Sequence, residues 1–354
     1  MGTAKSQKKQ IPAHEFVERD LRKILTESRA APHSSFLSEV EMANKFGVNV
    51  ATARKAVERL VQEGLLYKVH RKGTFVAPKP RNRLILIITT NPNFSVVGKL
   101  TPVADQYPDM QWQELTVDSL RSYIDNVEYV FPRLEGVLLI RDFPRCIDIV
   151  RVLKKKGIPT FFYGSDIHLP MLGGCSVLLY SESRITRMAM DHLKAQGCKR
   201  IACVGSTRWP ASKARMDHYH EWIKHNKFPD DPELLLDEPF STDFRECYSA
   251  VLERLGSKTF GADGIYCTSN ELACIVIQAA CTLGIKIPSE LAVVGVEDDE
   301  SIALRIFPQI TAVRIPFSED IQESFKQLSA LKGIPPKEDA QIWSTPFLIH
   351  RQSS

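Results

Sequence analysis

Two groups of side chains in this sequence have types and spacing suited to binding chemistry. The first is a polar and basic run near the amino end, in which Asn49 and Thr52 precede Arg54 and Lys55. A guanidinium pairs bidentately with guanine or braces a phosphate, and a threonine donates to phosphate or touches a thymine methyl group. The first group therefore predicts contacts with nucleic acid.

The second group lies further along the chain, where predicted strands end and helices begin, the usual place for ligands of α/β domains. The five donors of Arg215 suit adjacent hydroxyls or a carboxylate, Glu297 and Asp298 could accept hydroxyl hydrogens, and Trp209 offers an apolar face to a sugar ring. These residues predict a site for a small polar ligand. Plainer interpretations stay open: an exposed helix arginine, a solvated acidic loop and a tryptophan used for packing.

Sequence signatures of catalysis are missing. No Gly-x-Gly-x-x-Gly, phosphate loop, His-Glu-x-x-His or Gly-x-Ser-x-Gly motif occurs. The three histidines between residues 218 and 225 do not align on one helix face. None of the eight cysteines forms a Cys-x-x-Cys pair, and the seven-residue spacing of Cys267, Cys274 and Cys281 fits buried free thiols. We therefore expect no enzyme activity, no metal site and no cofactor.

Composition divides the chain into a basic part and a near-neutral part. Among 354 residues, 1–78 hold 14 lysines and arginines against 8 acidic residues, and the remainder holds 32 against 34. A basic module joined to a near-neutral one predicts a polyanionic partner for the first module. Neither a run of about 18 apolar residues nor a signal peptide is present, so we expect a cytoplasmic protein without membrane contact.

Helical periodicity and capping signals organise the amino-terminal part. Apolar residues recur at helical spacing over 12–30, which predicts a first helix. Ser38 and Glu41 form a capping box in front of a short second helix. A third helix is predicted from near Asn49 to Gly64.

The domain boundaries follow from the pattern after the third helix. A short strand-like hairpin turns at Lys72-Gly73, which completes a winged helix-turn-helix over 1–78. Proline and charge predict a linker over 79–83. Over 84–354, short apolar runs alternate with segments of helical spacing, which predicts an α/β domain of two subdomains with a cleft between them.

The stretch from Phe36 to Ala77 resembles the DNA-binding domain of GntR-type regulators along its whole length. The matches include Ser38-Glu39, Thr52-x-Arg54-Lys55-Ala56, Glu63-Gly64-Leu65-Leu66 and Lys72-Gly73-Thr74-Phe75-Val76. The resemblance implies DNA contacts from Ser38, Asn49, Ala51, Thr52, Arg54, Lys55, His70, Arg71, Lys72 and Gly73. Relatives usually carry arginine where this chain has Val40, and often where it has Val50, which predicts an altered operator.

Residues 84–354 resemble the effector domain of LacI-type regulators, which is related to periplasmic sugar-binding proteins. The matches are clearest in Asp191-His192-Leu193, in Gly197-Cys198-Lys199-Arg200-Ile201-Ala202, and in the runs ADGIYCTSNELA, LGIKIPSELAVVGVEDDE and FPQITAVRIPFSEDI. The resemblance implies ligand contacts from Trp209, Arg215, Asn270, Glu297 and Asp298. Asn270 replaces a usual aspartate, and NPNFSVVGKLTPVADQYPDMQWQEL is shorter and richer in proline than the family pattern.

Together the two resemblances imply a GntR-type head on a LacI-type body, a combination found in arabinose-responsive repressors. We expect a homodimeric repressor that binds a double-stranded DNA operator and responds to a small-molecule effector, a carbohydrate. The alternative is a DNA-binding regulator whose carboxyl-terminal domain is a ligand-free dimerisation or partner-docking module. The abbreviated first segment and Asn270 favour the alternative, whereas Arg215 and the acidic turn oppose it.

Overall fold

The computed structural model divides the chain into two compact units, Met1–Arg83 and Leu84–Ser354, called here the N-terminal and C-terminal units. It describes residues 13–27, 33–69, 72–77, 83–89, 96–104, 106–107, 109–141, 143–171, 173, 175–237, 244–297 and 300–354. Residues 79–82 of the predicted linker lie outside this set.

The N-terminal unit contains three helices and a hairpin, in the order that the sequence predicts. Their bounds are α1 Ala13–Glu27, α2 Glu39–Phe46, α3 Val50–Gln62, β1 Leu66–Val69 and β2 Gly73–Val76. The predicted capping box is present, because Ser38 Oγ accepts from the Glu41 backbone and the Glu41 side chain accepts from the Ser38 backbone. Strands β1 and β2 pair antiparallel, with Leu66 opposite Val76.

A small hydrophobic core holds these elements together. It is built from one face of each helix and from the inner side of the hairpin, and its members are Val17, Leu21, Met42, Ala43, Ala53, Ala56, Val57, Leu60, Leu66 and Val76. Gly47 ends α2 in the left-handed conformation, with φ of 63°, which glycine adopts without a steric cost. The chain can therefore reverse direction between α2 and α3.

The C-terminal unit contains two six-stranded sheets. The first has the order β13-β7-β6-β5-β3-β4, with bounds β3 Arg83–Thr89, β4 Met110–Thr116, β5 Leu134–Ile140, β6 Thr160–Ser165, β7 Ser176–Tyr180 and β13 Gln341–Trp343. Strands β3, β5, β6, β7 and β13 run parallel to their neighbours among these. Its intervening helices are α4 Val97–Ala104, α5 Val117–Tyr123, α6 Val127–Val130 and α7 Ile147–Lys155.

The second sheet has the order β14-β12-β11-β10-β8-β9. Its strands are β8 Ile201–Gly205, β9 Leu235–Asp237, β10 Gly264–Cys267, β11 Ala292–Glu297, β12 Thr311–Arg314 and β14 Phe347–Ile349. All pairs are parallel except β12 with β14, which is antiparallel. Its helices are α8 Glu182–Ala195, α9 Pro210–Asn226, α10 Phe244–Gly256 and α11 Asn270–Thr282.

The chain passes between the two sheets after β7, after β12 and after β13, in the topology of the described strands. Helix α12 Phe317–Ala330 follows β12 and packs on β5 and β6 of the first sheet. On α12, Asp320 accepts a 2.6 Å hydrogen bond from Ser344 Oγ in the segment that leads to β14. Burial raises the pKa of Asp320 to about 6.

The structure adds detail to the proline-rich stretch after β3 and corrects the prediction for the three regularly spaced cysteines. The proline-rich stretch after β3 contains α4, with Pro102 inside it, and ends in β4. Cys267 is a buried free thiol, but Cys274 is only half-buried and Cys281 is exposed, so the prediction of three buried cysteines was wrong for Cys281. Cys281 occupies the last turn of α11, which reaches the surface.

No helix among the described residues is both long and apolar enough to cross a bilayer.

Candidate functional site

The first candidate site is the amino-terminal turn of α3. Asn49 precedes the helix, and its side-chain oxygen accepts a 2.7 Å hydrogen bond from the Thr52 backbone, so Asn49 caps the helix. Ala51, Arg54 and Lys55 are exposed, and Thr52 is half-buried. This turn presents a compact polar surface at the end of the helix that, in helix-turn-helix proteins, enters the major groove.

The other residues predicted to contact DNA lie at two further places. Ser38 caps α2. Lys72 and Gly73 are exposed at the hairpin turn, where Gly73 has a φ of 111°. His70 and Arg71 were predicted to lie near the tip of the hairpin, and they fall outside the described residues.

An ion-pair network connects α3 to the hairpin of β1 and β2. Arg54 Nε donates to Glu39 Oε2 at 2.8 Å, and Lys68 Nζ donates to Glu39 Oε1 at 2.7 Å. Partial burial alone would raise the pKa of Glu39, but the hydrogen bonds from Lys68 and Arg54 hold that pKa below its usual value. We call these three residues the Glu39 triad.

Two exposed valines flank the polar surface. Val40 follows Glu39 on α2 and is 57% exposed, and Val50 begins α3 and is 38% exposed. Valine at these two positions leaves this part of the surface uncharged and apolar. Apolar side chains in the major groove contact the thymine methyl group.

The second candidate site lies at the carboxyl ends of the parallel strands of the second sheet. Arg215 of α9 is buried, its Nε donates to Glu182 Oε2 at 2.6 Å, and its Nη1 donates to the Thr268 carbonyl at 2.6 Å. Burial raises the pKa of Glu182, and the adjacent Arg215 guanidinium, which stays charged in proteins, opposes this shift by favouring the carboxylate. Glu182 begins α8 directly after β7 of the first sheet.

Hydroxyl groups surround this pair. The Ser206 backbone donates to Ser212 Oγ at 2.8 Å, and Ser212 Oγ lies 2.8 Å from Thr268 Oγ1. Trp209, directly before α9, is 55% exposed. Ser206 and Thr268 follow β8 and β10, so hydroxyls and a guanidinium come together at the carboxyl ends of these strands, and Trp209 lies in the loop between Ser206 and α9.

Asn270 and Glu297 also come together, as neighbours in a second buried network. Asn270 Nδ2 donates to Glu297 Oε2 at 2.9 Å, and Arg351 contacts both Glu297 oxygens, at 3.3 and 3.1 Å. Gly295 makes room for this arrangement, because a Cβ atom there would lie 2.2 Å from Asn270 Oδ1. Asp298 lies outside the described residues.

Sequence reasoning missed two partners in these networks, Glu182 and Arg351. Glu182 carried a usable signal, since it follows a buried strand as the other candidates do. Arg351 lies 54 residues from Glu297, and no local pattern connects them. Within the described parts of the chain, no cluster of three or more histidine, cysteine or acidic residues could hold a metal ion.

Comparison with known families finds two different domains in the chain. A family model for bacterial regulatory proteins of the gntR family matches residues 13–76, and one for a periplasmic binding protein-like domain matches residues 190–354. The arabinose metabolism transcriptional repressor of Geobacillus stearothermophilus is 22% identical over 98% of both chains. The HTH-type transcriptional repressor NagR of Bacillus subtilis is 37% identical over 20% of this chain and 29% of its own length.

Solved structures of similar fold come from transcription regulators. A regulator–cellobiose complex, CelR, superposes with a TM-score of 0.60 at 18% identity, covering 87% of this chain and 92% of its own. A Lac repressor dimer bound to operator and an anti-inducer superposes with a TM-score of 0.61 at 17% identity, covering 77% and 94%. At these identities the likeness establishes the fold.

We expect Arg215→Ala to destabilise the C-terminal unit by about 3–5 kcal/mol, because it leaves the Glu182 carboxylate buried without its counter-charge. Urea unfolding followed by tryptophan fluorescence measures this unit alone, since all four tryptophans lie beyond residue 83. The double variant Glu182→Leu with Arg215→Met is the control, and it should recover most of the loss. An unchanged unfolding midpoint in Arg215→Ala would contradict a structural role for the pair.

Proposed function

We infer that this chain, which joins a GntR-family DNA-binding domain to a periplasmic-binding-protein-like domain, is a transcription regulator. It represses by binding an operator in double-stranded DNA, and a small polar effector, a carbohydrate, changes its affinity for that operator. It is not an enzyme and uses no cofactor. The observation that carries this proposal is the exposed turn at the start of α3, in a unit matched over residues 13–76 by the gntR family model.

The proposed DNA contacts divide by the kind of readout they give. Arg54 pairs with a guanine edge, and Val50 contacts a thymine methyl group. Lys55 and Lys72 contact phosphates and set the register on the duplex, and His70 and Arg71, which precede Lys72 in the sequence, contact the minor groove or its phosphates. Asn49 and Ser38 support these contacts mainly by capping the two helices.

The effector is proposed to bind between the two sheets, against Trp209, Arg215, Asn270, Glu297 and Asp298. Two relatives support a carbohydrate: one is named for arabinose metabolism, and one solved neighbour is a cellobiose complex. An effector that closes the cleft favours one arrangement of the two subdomains, and DNA affinity then changes by as much as the effector's affinity differs between the two arrangements.

The runner-up is a body that binds no ligand and serves only for dimerisation or docking. The hydrogen bonds of Glu297 to Arg351 and to Asn270 Nδ2 favour it, because both carboxylate oxygens already have protein donors. Asn270 Oδ1, which is buried without a hydrogen-bond partner among the described residues, favours a ligand. The cluster around Arg215 and the exposed Trp209 ring favour a ligand.

A homodimer follows from the operator, because two heads read the two halves of a palindromic site. We propose that a second copy of the chain covers an apolar groove of about 400 Å³ between α10, α11 and the loop before β12. Phe307 in that loop is 80% exposed. The lining residues are Phe244, Tyr248, Ile277, Gln278, Cys281, Thr282, Ile306 and Phe307. Contiguous exposed apolar surface of this kind marks protein–protein interfaces.

Arg54→Ala should weaken operator binding by about 5–150-fold, the loss of one bidentate base contact of about 1–3 kcal/mol. The operator is obtained by selecting duplexes from a random pool with the full-length protein, and affinity is then measured by fluorescence anisotropy. Arg19→Ala, which removes the same charge from α1, is the control and should bind as the parent does. Equal affinities of Arg54→Ala and the parent would exclude Arg54 from the reading surface.

A thermal-unfolding panel tests the effector and separates the two candidate functions. Mono- and disaccharides, sugar phosphates and sugar acids are added to the full-length protein, and unfolding is followed by tryptophan fluorescence. A ligand at a hundredfold excess over its Kd stabilises the folded state by about 2.7 kcal/mol, which raises the midpoint measurably. One compound that raises the midpoint identifies the effector, and a flat panel shifts support to the ligand-free module.

Phe307→Asp should convert the dimer to monomers, because burying a carboxylate in an apolar interface is strongly unfavourable. Analytical ultracentrifugation gives the mass. Ile334→Asp is the matched control, since Ile334 is also well exposed but does not line the groove. A Phe307→Asp variant that remains dimeric would place the interface elsewhere.

A further inference from the structure

We propose that Glu39 determines operator specificity by holding Arg54 and Lys68 for base recognition and by offsetting their charge against non-specific DNA. The inference rests on the proposed function, because it concerns how the same surface tells one duplex from another. Glu39 touches no base in this scheme, so it is a positioning residue that acts through Arg54 and Lys68.

The geometry of the triad uses one carboxylate to join three elements. Glu39 is the first residue of α2, Arg54 lies in the second turn of α3, and Lys68 lies in β1. Each carboxylate oxygen accepts from a different cation, at 2.8 and 2.7 Å. Glu39 therefore connects α3 to β1 of the hairpin, next to the surface that is proposed to contact DNA.

Glu39 engages only one edge of the Arg54 guanidinium. The contact is to Nε, and in the described structure Nη1 and Nη2 of Arg54 make no hydrogen bond to protein. Two parallel N–H groups on one side of the guanidinium match guanine O6 and N7. The hydrogen bond to Nε fixes the plane of the group before DNA arrives, so less side-chain freedom is lost on binding.

The negative charge of Glu39 lowers the affinity for DNA of any other sequence. Non-specific binding comes from phosphate neutralisation and requires no fixed geometry. A carboxylate between Arg54 and Lys68 weakens that attraction, and it repels phosphates that approach the same surface. The triad thus lowers non-specific affinity while it preserves the directional contact, and both effects raise specificity.

The exposure of Arg54 and Lys68 argues against a purely structural role for their ion pairs with the partly buried Glu39. Arg54 and Lys68 are exposed, and solvent-exposed ion pairs contribute little to the free energy of unfolding. The unit is instead held by its buried core. Removing the carboxylate should therefore leave the fold intact and change DNA recognition.

The test compares Glu39→Gln with Glu58→Gln in the full-length protein. Glu58 is an exposed residue of α3 that acts on Arg54 only through its charge, so Glu58→Gln is a charge-matched control. Affinities for the selected operator and for a random duplex are measured over a range of salt concentrations. Glu39→Gln should bind the random duplex about 3–10-fold more tightly, with a steeper salt dependence, and its operator-to-random ratio should fall at least tenfold.

Two further variants show whether the effect runs through Arg54. In the Arg54→Ala background, adding Glu39→Gln should lower the ratio by less than it does in the parent, because the part of the effect that positions Arg54 is gone and only the effect of charge and of Lys68 remains. Glu39→Asp keeps the charge and should keep most of the parent's low affinity for random DNA. Thermal unfolding of each variant establishes that it is folded.

Several results would overturn the inference. An unchanged ratio in Glu39→Gln would show that Glu39 does not determine specificity. An equal fall of the ratio in Glu58→Gln would attribute the effect to net charge alone. An equal fall in the Arg54→Ala background would show that Glu39 acts through another residue. If the parent protein prefers no duplex over random DNA, the proposed function itself fails. If the parent prefers an operator and Glu39→Gln keeps the same ratio, only the inference about Glu39 fails.

Discussion

A charge that leaves water must find a partner of opposite sign, and this constraint shapes the C-terminal unit. Glu182 and Arg215 are both buried, and each would be strongly destabilising without the other. The pair joins the start of α8, directly after the first sheet, to α9 beside β8 of the second sheet. It lies at the edge of the sheet where α/β domains bind ligands, so an effector at the proposed site would be accommodated around it.

The same constraint gives Glu297 a different role from the one that a ligand-binding carboxylate usually has. Arg351 brings a positive charge to both of its oxygens, and Asn270 adds an amide donor. An effector hydroxyl that reaches this carboxylate takes its remaining acceptor position on Oε1 or exchanges with one of these donors. Such an exchange is nearly neutral in hydrogen bonds, so selectivity would come from the shape of the ligand and from unpaired groups in poor ligands.

Much of this architecture was predictable from local pattern. Apolar runs marked β3, β5, β6, β8, β10 and β11, and Ser38 with Glu41 marked the start of α2, because burial and capping leave signatures within a few residues. The partners of the functional side chains were not predictable in this way. Glu182 and Arg215 are 33 residues apart, and Glu39 and Lys68 are 29 apart. Such contacts depend on how elements pack, and the exposed end of α11 at Cys281 depends on it too.

Buried and exposed ion pairs serve different purposes in the two units, and their energies explain why. Removal of one partner of the buried pair costs several kcal/mol of stability, because the other charge then stays buried without a counter-charge. The pair therefore favours the one conformation in which both partners meet. The triad at Glu39 has two exposed cations and contributes little to folding, which leaves Arg54 and Lys68 available to a ligand as large and as charged as DNA. Regulation requires a link between these units, and linkage is reciprocal: an effector that lowers operator affinity by a given factor must itself bind the operator complex more weakly by that factor. For a typical coupling of about 1–3 kcal/mol, that factor is roughly 5–150.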